Sequence, residues 1–263
     1  MWLSLIALTT ILPAVAQAFR GAASRDAMFW AAMAIGIAGP VAWVFVHYSP
    51  AWQTGLSATI WVTIAASMTL YAIISVVFHQ AWRLSSLVAG YMLLLGLAAI
   101  ILQNSNGGGL QASPGDRAWV NVHIAAAIVT YGLVTIAAIA AFAAFMQERT
   151  LKRKQPTGLT RHLPSIADCE SLQVTLLRYG ETILAVGLAT GMSLQYRETG
   201  RLLPANHKTV LTLAAFVVIG ALLVAQKWAG VRGRLAARLA LLGYLLLTLG
   251  YIGVKFVTGV LIR

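Results

Sequence analysis

Long runs of apolar side chains constrain this chain more than any other feature. Hydrophobic residues occupy 59% of the 263 positions and charged residues only 10%, a balance that no soluble domain needs. A membrane span takes about 20 mostly apolar residues. The sequence predicts eight such helices, at residues 2–19, 27–47, 57–78, 84–102, 119–146, 176–196, 208–227 and 238–262.

The fold class follows from what a lipid bilayer allows. A membrane-spanning segment must satisfy its own backbone hydrogen bonds, so only helices and closed barrels are possible. The apolar runs lack the alternation that lipid-facing barrel strands require. We therefore expect an all-α polytopic membrane protein with a single membrane domain over residues 1–263, its first four helices within 1–102 and its last four within 113–262.

The net charge of +12 could indicate a nucleic-acid partner, but the placement of the basic residues argues for orientation in a membrane. Thirteen Lys and Arg residues fall at or near alternate helix connections, five fall at the others, and Lys255 lies inside the last predicted helix. Basic loops stay in the cytoplasm. The bias predicts a bacterial inner-membrane protein with both termini outside, a basic cytoplasmic loop at 147–175, lipid contact and no nucleic-acid partner.

The first apolar run has two possible roles. It ends in Ala14-Val-Ala-Gln-Ala18, which looks like a signal-peptide cleavage site. No basic residue precedes the run, however, and basic residues follow it. An uncleaved first span is therefore the favoured interpretation.

Motifs of common enzymes and pumps are missing from the sequence. There is no H-E-x-x-H, no G-x-S-x-G and no phosphate-binding glycine loop. Cys169 is the single cysteine, so a disulfide framework, a C-x-x-C pair and covalent haem attachment through C-x-x-C-H are all excluded. Glu181 is the main acid within a predicted span, whereas a proton-coupled pump would need more. We expect no catalytic residues, no enzyme activity and no transport.

Histidines are the candidate metal ligands. His123 lies within the first turns of a long apolar helix, where a polar side chain is costly and is a functional hypothesis by default. His207 is predicted at the same outer face, at the start of another helix. Two imidazoles at one depth are what a six-coordinate haem requires. The sequence predicts haem b, with its iron bound by His123 and His207; the alternatives are a hydrogen-bonded structural histidine and an interfacial residue beside the Asn206 helix cap.

Side chains around His123 suit a flat apolar ligand. Trp119, Ala127 and Tyr131 share a helical face with His123 and complete the predicted cofactor-binding set together with Lys208 and Lys255, cations that could meet haem propionates. The small residues could instead let two helices pack closely. The two lysines could instead anchor the chain to lipid phosphates or face another partner.

An ordered set of short motifs resembles a known family. It comprises Val122-His123-Ile, Gln147-Glu-Arg-Thr-Leu-Lys152, Leu163-Pro-Ser-Ile166, Gly187-Leu-Ala-Thr-Gly191, His207-Lys-Thr-Val-Leu211, Gly230-Val-Arg-Gly-Arg234 and Gly250-Tyr-Ile-Gly-Val-Lys-Phe-Val257. The set resembles the cytochrome c assembly membrane family, in particular its small eight-helix branch of HemX- and YpjD-like inner-membrane proteins. The resemblance covers residues 113–262. It implies a haem-handling protein with histidines on the outer side, which map onto His123 and His207.

This sequence departs from the haem-lyase members of the family. Those members carry a tryptophan-rich segment that presents haem, whereas residues 192–207 here contain no tryptophan. A further histidine near the end of their last helix is absent too. The sequence therefore predicts non-covalent haem binding or handling, related to cytochrome c biogenesis. The alternative is a haem-free structural or regulatory partner of a transporter or of haem synthesis, with residues 147–175 as a possible protein-binding loop.

Overall fold

A computed structural model describes residues 2–17, 24–47, 55–103, 117–154, 157–200 and 206–257, and almost all of the described residues are helical. The helices are α1 (Trp2–Thr9), α2 (Leu12–Ala16), α3 (Ala27–His47), α4 (Leu56–Val77), α5 (Ser85–Ile101), α6 (Arg117–Arg153), α7 (Gly158–His162), α8 (Ile166–Thr199), α9 (His207–Trp228), α10 (Gly233–Thr248) and α11 (Val254–Phe256). A 3₁₀ turn (Ala81–Leu84) precedes α5, and a π-helical turn (Leu249–Gly253) joins α10 to α11. The all-α prediction is confirmed.

Six helices of the described part are long and apolar enough to cross a bilayer: α3, α4, α5 with its 3₁₀ turn, α6, α9, and α10 with the π-helical turn. The predicted first span is split, because Pro13 cannot supply a backbone N–H and α2 begins there anew. Its two short helices together cover Trp2–Ala16. α8 is long but carries Arg178 and Glu181 in its sequence. The structure thus supports six of the eight predicted spans by length and composition.

The prediction that residues 147–175 form a loop is wrong in local structure. Residues 147–153 continue α6, and residues 166–175 are the first turns of α8. The second part of the predicted loop is therefore the start of one continuous 34-residue helix. Ser165 does cap that helix, since its hydroxyl accepts a hydrogen bond from the Asp168 N–H at 3.1 Å. Cys169 is fully buried at this point.

Helix α6 is the central element of the bundle. It packs along α8 and also contacts α4 and α10, while α9 packs on α8 and α10. Alanines line its buried middle: Ala137, Ala138, Ala140, Ala141, Ala143 and Ala144 are all less than one-tenth exposed. Small side chains let helix backbones approach closely, which is the main packing device where the surrounding solvent is lipid.

The N-terminal helices pack on the other side of α4 and α5. Trp43 of α3 stacks on Trp61 of α4 with ring centroids 5.5 Å apart, and its indole N–H donates to the Ser4 hydroxyl at 3.0 Å. Thr10, between α1 and α2, lies directly against Gly39 of α3, where any side chain would collide with it. This half of the bundle is thus well packed and separate from α8 and α9.

A half-buried amide joins α6 to the connection before α8. Gln147 donates from its side-chain nitrogen towards the carbonyls of Thr160, at 2.9 Å, and Pro164, at 3.2 Å. Helix breaks leave carbonyl groups without helical partners, and a buried carbonyl without a partner is costly. Gln147 therefore fixes the turn from which α8 starts.

Replacing Gln147 by Met should lower the free energy of unfolding by about 1–3 kcal/mol, because the loop carbonyls lose their side-chain donor at a half-buried position. Thermal unfolding in mild detergent measures the change. Thr175→Val is the matched control, since the Thr175 hydroxyl bonds only to its own helix at Ser171 and its loss should cost at most about 0.5 kcal/mol. Equal melting temperatures for the two variants would contradict the role assigned to Gln147.

Candidate functional site

His123 lies on α6 where that helix meets α8 and is half-buried. Its Nδ1 is 2.9 Å from the carbonyl oxygen of Gly187 and 3.3 Å from the hydroxyl of Thr190. The Thr190 hydroxyl donates its own hydrogen to carbonyls of α8 at 3.0 Å. Both groups facing Nδ1 therefore act as acceptors.

This arrangement determines the tautomer of the ring. A carbonyl oxygen can only accept, so Nδ1 carries the hydrogen, and in the neutral imidazole Nε2 then keeps its lone pair. Nε2 has no hydrogen-bond partner among the described residues. Histidines that bind metals typically donate their other ring N–H to a carbonyl or carboxylate, which orients the ring. His123 has that geometry.

Two glycines of α8 allow the imidazole to lie against the helix. A Cβ atom added at Gly191 would lie 2.8 Å from Cε1 of His123, and a Cβ atom at Gly187 would lie 3.6 Å from Cβ of Ala126. The first separation is far below van der Waals contact and the second is ordinary contact. Gly191 is thus required for the present position of the ring, while Gly187 tolerates a methyl group.

The start of α9 lies at the same end of the bundle. His207 is its first residue, and the Asn206 side chain caps the helix by accepting from the Thr209 N–H at 2.9 Å. His207 and Lys208 are both exposed. Both side chains lie at the surface where α9 begins.

A π-helical turn packs against the start of α9. A Cβ atom added at Gly250 would lie 3.3 Å from Cβ of Leu211 and 3.7 Å from the Lys208 carbonyl oxygen. π-helical turns within α-helices are rare and occur frequently at functional sites. The turn sets the distance between α9 and α10 at the end of the bundle that holds His123.

The other predicted site residues lie at different depths along α6. Trp119, one turn above His123, is 49% exposed, and Ala127, one turn below it, is half-buried. Tyr131 is buried about 12 Å deeper along the helix axis, and its hydroxyl lies 3.2 Å from that of Thr248. Lys255 belongs to α11, and its side chain lies outside the described residues.

A network of tyrosines that the sequence interpretation missed surrounds Tyr131. Its hydroxyl is 3.2 Å from that of Tyr244, which also forms a short hydrogen bond with Tyr91, and its ring lies 5.5 Å from that of Tyr251. The four tyrosines come from α5, α6, α10 and the π-helical turn. No local sequence motif marks such a contact, because its members are up to 160 residues apart.

No cluster of three or more His, Cys, Asp or Glu side chains occurs within the described ranges. A bare metal ion normally needs three or four protein ligands. An iron already held by a porphyrin needs only one or two axial ligands. The described residues therefore offer no three-ligand site for an isolated ion.

Comparisons with known proteins agree on one family. Residues 30–262 match the family model described as cytochrome C assembly protein. An uncharacterized 28.8 kDa protein in the nifR3-like 5′ region of Azospirillum brasilense is 49% identical over 265 residues, covering 98% of this chain and 97% of that protein. The inner membrane protein YpjD of Escherichia coli K12 is 26% identical over 179 residues, covering 68% of this chain and 65% of that protein. No solved structure matches significantly.

Proposed function

Because the chain belongs to the cytochrome c assembly protein family, we propose that it binds or handles non-covalent haem b in a role related to cytochrome c biogenesis. It is a multi-pass protein of the inner membrane. We propose that it performs no chemical turnover of its own. Haem supplies an iron centre with two open axial positions, and the protein supplies the ligands and the apolar surroundings.

The observation that carries the proposal is the fixed orientation of His123. Its Nδ1–H is engaged by the Gly187 carbonyl, and its Nε2 is free to act as a ligand within the described part of the chain. A purely structural histidine would also form the first hydrogen bond, so the ligand role is proposed on the lone pair that Nε2 keeps once Nδ1 donates to the Gly187 carbonyl. We assign His123 as the first axial ligand.

His207 is the proposed second ligand. It is exposed at the first position of α9, so its side chain can adjust when a ligand enters. Lys208 follows it directly and is exposed as well. A cation at this place would pair with a haem propionate. Trp119, Ala127, Tyr131 and Lys255 remain proposed contacts of the macrocycle.

A haem-free structural or regulatory partner of a transporter or of haem synthesis is the other class of function. Its proposed contact surface is the basic end of α6 together with the connection to α8. A proton-coupled transporter is disfavoured, since Glu181 is the one acid described in the middle of a long helix. These classes differ from the haem proposal in one measurable respect, the presence of bound haem.

A visible spectrum of the purified protein tests the proposal. We expect protein from haem-replete cells, isolated in mild detergent, to show a low-spin Soret band, and haem-free protein to take up added hemin at about one equivalent per chain. The haem should be extracted by acidified acetone, since the chain has no C-x-x-C-H motif for covalent attachment. A preparation that contains no haem and takes up none would refute haem binding and favour the haem-free class.

A further inference from the structure

A cluster of basic side chains lies at the end of the bundle opposite His123. It forms a cleft of about 370 Å³ between the end of α6 and the start of α10, lined by Phe145, Arg149, Lys152, Arg153, Arg234 and Arg238. Five of these six residues are cations, and all five are exposed. The charge bias of the chain assigns this end to the cytoplasmic membrane surface.

One acid accompanies the five cations of this basic cleft. Glu148 lies 2.7 Å from Nζ of Lys152 and 3.0 Å from Nε of Arg234. The remaining three arginines, Arg149, Arg153 and Arg238, have no ion pair within the described part of the chain. The cleft therefore keeps a charge of about +4 at the membrane surface, and the positive end of the α10 dipole adds to it.

An apolar groove continues from the basic cleft into the membrane. It also has a volume of about 370 Å³ and lies between α5, α6 and α10, with Gly90, Leu94, Ile139, Phe142 and Leu241 in its walls. Phe142 precedes Phe145 by three positions, and Leu241 follows Arg238 by three, so the walls of the two spaces adjoin on both helices. Tyr91 and Tyr244, hydrogen bonded to each other, stand at the inner end of the groove.

The dimensions and charges fit one class of ligand. From Arg149 to Thr135, the α6 residue farthest into the groove, α6 rises about 21 Å, and the hydrocarbon of one leaflet is about 15 Å thick. Basic pockets between membrane helices bind anionic lipid head groups. We propose that the basic cleft and the apolar groove together form a binding site for one anionic phospholipid, with its phosphate on the arginines and an acyl chain in the groove.

The basic cleft lies at the other end of α6 from His123, and the lipid site contains none of the proposed haem ligands. The inner end of the groove does reach Tyr244, whose hydroxyl lies 3.2 Å from that of Tyr131. Lipid binding would also be a different role for the basic end of α6 from the protein contact considered above. A bound lipid would hold α5, α6 and α10 together on the membrane side, where α5 and α6 make few direct contacts.

Native mass spectrometry in mild detergent tests the head-group half of the proposal. We expect wild-type protein to retain phosphatidylglycerol or cardiolipin in preference to phosphatidylethanolamine from a mixed extract. The Arg149→Gln/Arg238→Gln variant should lose this preference by roughly tenfold or more, since each interfacial cation contributes separately. The matched control is Arg161→Gln/Lys227→Gln, which removes the same charge from exposed residues outside the cleft and should retain the lipid.

A second variant tests the acyl-chain half without altering charge. A Cβ atom added at Gly90, in the groove wall, meets no atom within 4 Å, so the side chain of Gly90→Phe starts in open space and should displace the lipid. Ala221→Phe, on the exposed face of α9, should not. If Gly90→Phe retained the lipid and bound inorganic phosphate as well as the wild type does, the proposal would be overturned in favour of a site for soluble anions. Unchanged lipid preference in the double arginine variant would also overturn it.

Discussion

His123→Ala should abolish the low-spin haem spectrum of the purified protein. The substitution removes a strong-field axial ligand and leaves an apolar space against Gly187 and Gly191, so the iron should become high-spin or the haem should be lost altogether. Affinity for hemin should fall by on the order of a hundredfold or more, beyond the effect of changing an outer hydrogen-bond partner. Hemin titration followed at the Soret band measures both changes.

The other histidines provide graded comparisons. His207→Ala should weaken binding less, because a ligand at an exposed helix start can be replaced by water. His79→Ala and His162→Ala, at the opposite end of the bundle, should leave the spectrum unchanged. His47→Ala should also have no effect, since His47 stacks on Trp43 at 4.0 Å in the other half of the bundle. A lost haem signal in His79→Ala with a normal one in His207→Ala would contradict both the ligand assignment and the predicted orientation.

Hydropathy predicted which segments form long apolar helices better than where those helices end. The predicted helix 27–47 agrees with α3, which begins after Asp26 and ends at His47. By contrast, α6 continues seven residues beyond the predicted end at 146, and α8 starts ten residues before its predicted span at 176. Gln, Glu, Arg, Leu and Lys are good helix formers, so a helix persists into water after its apolar part has ended.

The candidate site could be predicted only in part from the sequence. His123 could be identified because a polar side chain within an apolar helix is costly. Its partners lie more than 60 residues away on α8, and no periodicity within α6 specifies which neighbouring helix its ring will face. Gly187-Leu-Ala-Thr-Gly191 has the spacing of two small residues that promotes close helix packing. This spacing indicated that another helix packs closely here, but not which helix.

Adding a methyl group at Gly191 is the most local test of the site. In Gly191→Ala the new Cβ atom would lie 2.8 Å from Cε1 and 3.2 Å from Nδ1 of His123, so the imidazole must move away from α8. We expect this movement to lengthen the hydrogen bond from Nδ1 to the Gly187 carbonyl, which fixes both the tautomer and the direction of Nε2. Loss of such an outer partner typically reduces metal affinity 10–100-fold, and we expect hemin affinity to fall within that range.

Gly187→Ala is the matched control for this substitution. It adds the same methyl group to the same helix one turn away, where the new Cβ atom makes an ordinary 3.6 Å contact with Ala126. Both changes raise helix propensity by about 1 kcal/mol or less, so a difference in haem affinity between the two variants reports on the position of the His123 ring rather than on the stability of α8. If both variants bind hemin like the wild type while His123→Ala does not, the ring binds haem without support from α8, and the orienting role of Gly187 and Gly191 is wrong.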